Sequence, residues 1–379
     1  NAVLVFFLIR GWSGKKGVAV LTALLFAVHP IQVEAVSWIA SRKDLLSAAF
    51  FLGALLSYEK GQKKRWTLLL YLLSLLAKGN AISFPIVLLL LEYRKGKRFS
   101  MQMIRTLMPY FALALLFIFI GFMGKVGRIA DMPLVLMPLF AAKAILLQIY
   151  NTLWPFYLTP IYATANSKVI SLAAWIAIGA SGLGIAAVYA LRKKFPSIFF
   201  GFFFFLITLA PSFFVSMNII GYYKITSDRY AYISIIGLLY ILSIGFAVLW
   251  RRARTPAVLV LCGIIPTLAY TSHRQTTYWE TDTTVLEMMI RRTPEYGMSY
   301  LSFGNYRLEN GETEEAIALF EEGISRESYP FILGMMHNSL GKAYEKMGRT
   351  EEARNEWNKA LLLVPEFEEP REQLESLER

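Results

Sequence analysis

The sequence predicts an all-α fold, a polytopic membrane helical bundle followed by a helical-repeat tail. Three observations predict it. First, 56% of the 379 residues are hydrophobic and 15% aromatic, which is too apolar for a soluble domain and fits a multi-span membrane protein. Second, the charge is divided. Residues 1–270 hold 27 Lys and Arg against 6 Asp and Glu, whereas residues 271–379 hold 12 against 21, within a whole-chain net charge of +12. Third, four spaced residues of the tail recur as a set, as stacked helical hairpins require.

The elements follow in order. Ala2–Ile9 is apolar but too short to span a bilayer. No charged region or cleavage site precedes it, so it reads as the remnant of a span and not as a signal peptide. Further apolar runs are Gly17–Val28, Asp44–Tyr58, Trp66–Ala77, Ile82–Leu91, Leu107–Phe122, Ile170–Leu191, Ile198–Met217, Tyr230–Trp250 and Ala257–Tyr270. Several are shorter than the roughly 20 residues of a full span, so their helices are expected to extend into flanking residues. Residues 1–270 thus form the membrane domain.

Five basic clusters set the orientation: Arg10/Lys15/Lys16, Lys60/Lys63/Lys64/Arg65, Arg94/Lys95/Lys97/Arg98/Arg105, Arg192/Lys193/Lys194 and Arg251/Arg252/Arg254. Short loops rich in Lys and Arg stay in the cytoplasm. All five can do so only if residues 124–168 lie outside, with Leu139–Tyr150 a re-entrant or interfacial helix. Four polar loops then share the extracytoplasmic face with the tail: His29–Asp44, Lys78–Asn80, Leu153–Tyr162 and Ser227–Tyr230.

The same rule accounts for the cationic excess without nucleic acid. The single cysteine, Cys262, excludes a disulfide within the chain. No Cys/His set has zinc spacing, and there is no phosphate-cradling glycine loop or nucleophile serine motif. Neither a metal nor a cofactor is expected.

In the tail, Gly304, Gly311, Ala316 and Phe320 recur 37 residues later as Gly341, Gly348, Ala353 and Trp357. Small residues where paired helices touch, with an aromatic closing the unit, make the tetratricopeptide pattern. The repeats lie at about 301–324 and 338–361, in a domain of residues 291–379 reached through a connector at 271–290. The usual period is about 34, which puts an insertion near Ser328–Phe331. Pro365 ends the second repeat, and Glu369–Leu377 is a candidate capping helix, with Pro370 tolerated in its first turn. A spacer role is the plain alternative to a binding one. His273 and His337 have no evident partner.

The most unusual stretch is His29-Pro-Ile-Gln-Val-Glu-Ala-Val-Ser-Trp-Ile-Ala-Ser-Arg-Lys-Asp44, which gathers five ionisable side chains between two apolar runs. Such groups are costly to desolvate, so a cluster marks a site or a solvated loop. With the Ala77-Lys-Gly-Asn-Ala81 turn, the Trp154-Pro155 loop, Ser227-Asp-Arg-Tyr230 and the repeats, this stretch resembles the transmembrane and tetratricopeptide-repeat-containing O-mannosyltransferases and their bacterial relatives. These are type C glycosyltransferases.

The resemblance implies an integral-membrane enzyme moving a sugar, mannose by analogy, from a polyprenyl- or dolichyl-phosphate carrier to a protein hydroxyl outside the cytoplasm. It implies membrane lipids, the lipid-linked donor and an acceptor protein held by the repeats as partners. The expected setting is a bacterial inner membrane ahead of the endoplasmic reticulum. Transfer needs a base for the acceptor and a counter-charge for the leaving phosphate. The outer acids are Glu34, Asp44, Asp131 and Asp228. Glu34, His29 and Asp228 are the catalytic candidates, although Glu34 also suits a helix N-terminus and His29 a helix cap. Arg42, Lys43, Lys78 and Arg229 are candidates for the donor phosphate, against a plain lipid-headgroup role. Asp44 and Asp228 can also simply pair with these cations. Asn80 and Tyr230 are positioning candidates.

In that family the acidic catalytic residue follows the first span, upstream of this chain's start, so the fragment alone is expected to be inactive. Its ten apolar runs plus one span make the eleven implied. The rival readings are a non-catalytic membrane-anchored tetratricopeptide scaffold and a transporter, and a transporter would carry polar groups deep within its spans.

Overall fold

A computed structural model describes residues 1–123, 136–165, 170–215, 218–219 and 222–377. The chain divides into two compact units. The first comprises Asn1–Pro160, Lys168–Met217 and Ile225–Thr277, and the second Ile161–Ser167, Asn218–Lys224 and Tyr278–Arg379.

The first unit is helical. Its helices are α1 (Ala2–Ser13), α2 (Lys16–Val28), α3 (Val33–Ser37), α4 (Arg42–Glu59), α5 (Lys64–Ala77), α6 (Phe84–Arg94), α7 (Met101–Met123), α8 (Met137–Leu153), α9 (Leu172–Ala190), α10 (Pro196–Leu209), α11 (Ile235–Arg252) and α12 (Arg254–Thr277). Each apolar run of the sequence has become a helix. Among the described residues, α7, α9, α10 with its extension to Phe213, α11 and α12 are long and apolar enough to cross a membrane. The helix α2 and the segment Pro30–Ser37 pass the same test together but are bent by 54°.

Some short runs lengthen as the sequence suggested, Leu107–Phe122 into the 23 residues of α7 and Ala257–Tyr270 into the 24 of α12, whereas α5 and α6 stay short. α5 stops after 14 residues and α6 after 11, because Lys78 takes an extended conformation and Gly96, with φ of 74°, turns the chain after α6.

Polar and small residues hold these helices together, as expected where lipid is the solvent. Ser47 Oγ donates to the Ser74 carbonyl at 3.0 Å and Ser74 Oγ to the Ser47 carbonyl at 2.8 Å, which joins α4 to α5. At the far end of the same pair Ser57 and Thr67 share a hydrogen bond of 2.9 Å. Gly201 and Gly237 bring α10 and α11 into backbone contact; a Cβ on Gly201 would lie 2.7 Å from the Gly237 carbonyl oxygen. Trp12 packs edge-on against Phe200 and Phe204, at 4.8 and 5.3 Å between ring centres.

The second unit contains α13 (Asp282–Arg292), α14 (Gly297–Glu309), α15 (Thr313–Arg326), α16 (Pro330–Lys346), α17 (Thr350–Leu363) and α18 (Glu368–Leu377). The tail repeat now has a physical reading. Gly304 leaves room for the Phe320 ring and Gly341 for the Trp357 indole, whose Cδ1 would lie 2.7 Å from an added Cβ. Gly311 and Gly348, with φ of 83° and 72°, make the left-handed turns that join each helix pair. The extra residues near Ser328–Phe331 start α16 four positions earlier than α14 in the repeat register, and Glu327 accepts from the Ser328 and Tyr329 backbone N–H groups just before it.

Two features were not foreseen. The connector is helical, since α12 runs to Thr277 and α13 follows with a reciprocal Thr281–Thr284 cap. A three-stranded sheet also joins the second unit: β1 (Tyr162–Ala165), β2 (Asn218–Ile219) and β3 (Tyr222–Thr226), ordered β1-β3-β2. The β2–β3 pair is antiparallel, with Asn218 opposite Tyr223. Ile161 and Ala163 beside this sheet pack into the apolar core of the repeats.

Candidate active site

Four polar segments, far apart in sequence, meet in the first unit. His29 ends α2. Its Nδ1 accepts from the Ile31 N–H at 3.2 Å, so the neutral ring carries its proton on Nε2, which donates to the Thr152 carbonyl of α8 at 3.0 Å. Both ring nitrogens are therefore engaged, Nδ1 in capping the turn that follows α2 and Nε2 in tying α2 to α8. Gln148, on the same face of α8, donates to Thr226 Oγ1 and to the Ser227 carbonyl, both at 3.1 Å. Asn151 Nδ2 donates to Asp228 Oδ1 at 3.2 Å.

Glu34 lies in the first turn of α3, where an acid is favoured. Its sequence neighbours carry no cation. Arg229 supplies one from 195 residues away: its backbone N–H donates to Glu34 at 2.8 Å and its guanidinium forms an ion pair with the same carboxylate. The guanidinium also sits 4.7 Å from the Trp38 ring centre. Asp44, in the first turn of α4, pairs with Lys78 at the end of α5. The Tyr230 ring is within reach of both cations, with Lys78 Nζ and the Arg229 guanidinium each 5.1 Å from its centre. Burial pulls the Lys78 ammonium below its ordinary pKa, and the Asp44 carboxylate works against that pull.

Part of this cluster lines a small cavity of about 30 Å³, bounded by Asp44, Lys78, Asn80, Arg229, Tyr230 and Tyr232 among others; His29, Glu34 and Asp228 stand outside its wall. Asp44 Oδ2 is buried and has no hydrogen-bond partner among the described residues. An orphaned carboxylate oxygen is expensive to keep away from water, and the adjoining cavity, about the volume of one water molecule, is where a hydrogen-bond donor can reach Asp44.

Of the sequence candidates, His29, Glu34, Lys78, Asn80, Asp228, Arg229 and Tyr230 thus come together. Arg42 and Lys43 share the first turn of α4 with Asp44 but are exposed and stand outside the cavity wall. Cations oppose the dipole at a helix N-terminus, so helix stability does not explain them. Asp131 lies outside the described residues. Sequence reasoning passed over Gln148, Asn151 and Thr152. Their spacing on one face of a largely apolar helix was the available signal.

Fold and site together define the class, a helical membrane protein that carries tetratricopeptide repeats and a cluster of paired charges where its polar loops meet. The family model described as tetratricopeptide repeat matches residues 336–367. The chain is similar to curated proteins named as O-mannosyl-transferases. It is 53% identical over 47 residues to Protein O-mannosyl-transferase TMTC3 of Mus musculus and 53% identical over 46 residues to the TMTC1 protein of the same organism. To human TMTC1 it is 56% identical over 46 residues. Each match covers 12% of this chain and 5% of the relative.

Proposed function

We propose that the chain serves an integral-membrane glycosyltransferase, taking a sugar from a polyprenyl-phosphate carrier to a protein hydroxyl on the extracytoplasmic face. Mannose is the sugar that its relatives' names suggest, and the repeats hold the acceptor or a partner protein. The observation that carries this reading is the convergence of the His29–Asp44, Lys78–Asn80 and Ser227–Tyr230 segments on one ion-paired cluster. A scaffold that used its repeats alone would have no use for these costly charges in a membrane domain.

The residues divide by what their atoms are free to do. Lys78 and Arg229 are the cations for the donor phosphate, held in place by Asp44 and Glu34. A phosphate would favour the charged form of Lys78, offsetting the effect of burial. Arg42 and Lys43 add exposed positive charge beside the site and draw the donor in. Glu34, with both carboxylate oxygens on Arg229, and His29, with both nitrogens engaged, position the cluster; Asp228 does the same through Asn151. Asn80 and Tyr230 shape the cavity. Asp44 Oδ2 is the acid oxygen free to accept a hydroxyl proton from a ligand.

Donor binding tests the reading. With a polyprenyl-phosphate sugar and the purified full chain, Arg42→Ala and Lys43→Ala are each expected to weaken binding severalfold. Arg229→Lys keeps the charge but loses the planar fork and should cost about tenfold, the scale of one charge-assisted hydrogen bond. Unchanged binding in all three variants would return these residues to ordinary lipid contact.

A further inference from the structure

The first unit has a second polar cavity, built from residues the proposed reaction does not use. It measures about 380 Å³ and lies where the end of α4, the end of α6 and the beginning of α7 meet. That volume falls within the roughly 300–1,000 Å³ of small-molecule sites. At its edge Glu92, only 3% exposed, faces Lys95 at 3.3 Å and Lys97 at 2.5 Å. One carboxylate against two ammonium groups leaves a positive surplus, and the pairing holds Lys97 in the cavity wall. Arg98 also lines the cavity and makes no hydrogen bond or ion pair among the described residues. Ser100 Oγ accepts from the Met103 N–H at 3.3 Å, which leaves its own O–H free to donate. Met103 and Leu107 add apolar wall to the same cavity.

A guanidinium fork, an anchored ammonium and a free hydroxyl are the donors that a phosphate monoanion needs. The adjoining apolar wall suits the glycerol and first methylenes of an amphiphile. We propose that this cavity binds a phosphate-bearing anion, supplied by the headgroup of an anionic phospholipid. The inference is independent of the transferase reading, since it uses none of the same residues.

The test uses the full chain in neutral detergent, titrated with short-chain phosphatidylglycerol and read by native mass spectrometry. One saturable lipid is expected per chain. Arg98→Gln should weaken it about tenfold, while Arg65→Gln, in another basic cluster at the start of α5, should leave it unchanged. Both arginines are exposed, so the fold is not at stake. If inorganic phosphate displaces the lipid at comparable concentration, the anion itself is the ligand; if it does not, the headgroup in its membrane context is. Equal retention of phosphatidylcholine, or Arg98→Gln and Arg65→Gln behaving alike, would overturn the assignment.

Discussion

Asp44 is paired through one oxygen with Lys78 and keeps the other buried without a partner. If that oxygen receives the acceptor proton, Asp44→Asn should leave donor binding within about threefold and cut whatever transfer the parent protein shows by roughly 10²–10⁴, the usual worth of general base catalysis. Equal losses in binding and transfer would make Asp44 a structural counter-ion only. A second residue-scale prediction concerns Glu356 in the repeats. Burial pushes its carboxyl up, but hydrogen bonds from His337 and Lys359 outweigh that and hold it below the ordinary glutamate value. A group with a depressed folded pKa adds stability that is fully present above its unfolded pKa, about 4.3. That stability is lost as pH falls through the lower folded value. Amide exchange in α16 and α17, corrected for its intrinsic pH dependence, should therefore quicken below about pH 4.3, and Glu356→Gln should abolish the effect. Several of these residues were legible in the sequence because a charge between apolar runs has few innocent explanations. Their partners were not, since no spacing rule joins Glu34 to Arg229 or His337 to Glu356.

At the scale of elements, the repeats were the most legible part of the chain. Their glycine and aromatic positions encode a physical contact: Gly341 exists to admit Trp357. Gly341→Ala should cost about 1–3 kcal/mol as an overpacked core does, seen as a lower denaturation midpoint for the repeats in the intact protein. Gly348→Ala strains a left-handed turn instead and should cost about 1 kcal/mol. A variant Gly341→Ala as stable as the parent would mean that the register between α16 and α17 differs from the one described. The sheet left no comparable mark. Its strands have 4, 2 and 5 residues, shorter than any run in which alternation can be told from chance. The apolar runs gave the existence of the membrane helices but not their ends, which Lys78 and Gly96 fix by local backbone conformation.

For the whole molecule, the basic loops predict that the C-terminus lies outside the cytoplasm. A reporter fused after Arg379, and another inserted after Met123, should both read as extracytoplasmic; a cytoplasmic signal from either would break the shared active face. The second unit also takes residues from three separated stretches, at 161–167, 218–224 and 278–379. Ribosomes deliver chain in one direction, at roughly 5–20 residues per second. The first of those stretches therefore leaves the ribosome several seconds before the helices that cover Ile161 and Ala163 have been made. Until those helices are made, the apolar side chains of Ile161 and Ala163 have no core to enter. A stop codon ahead of α13 would then leave more than a shortened protein: Ile161 and Ala163 would lack the core they pack into, an apolar surface of the kind on which aggregation begins.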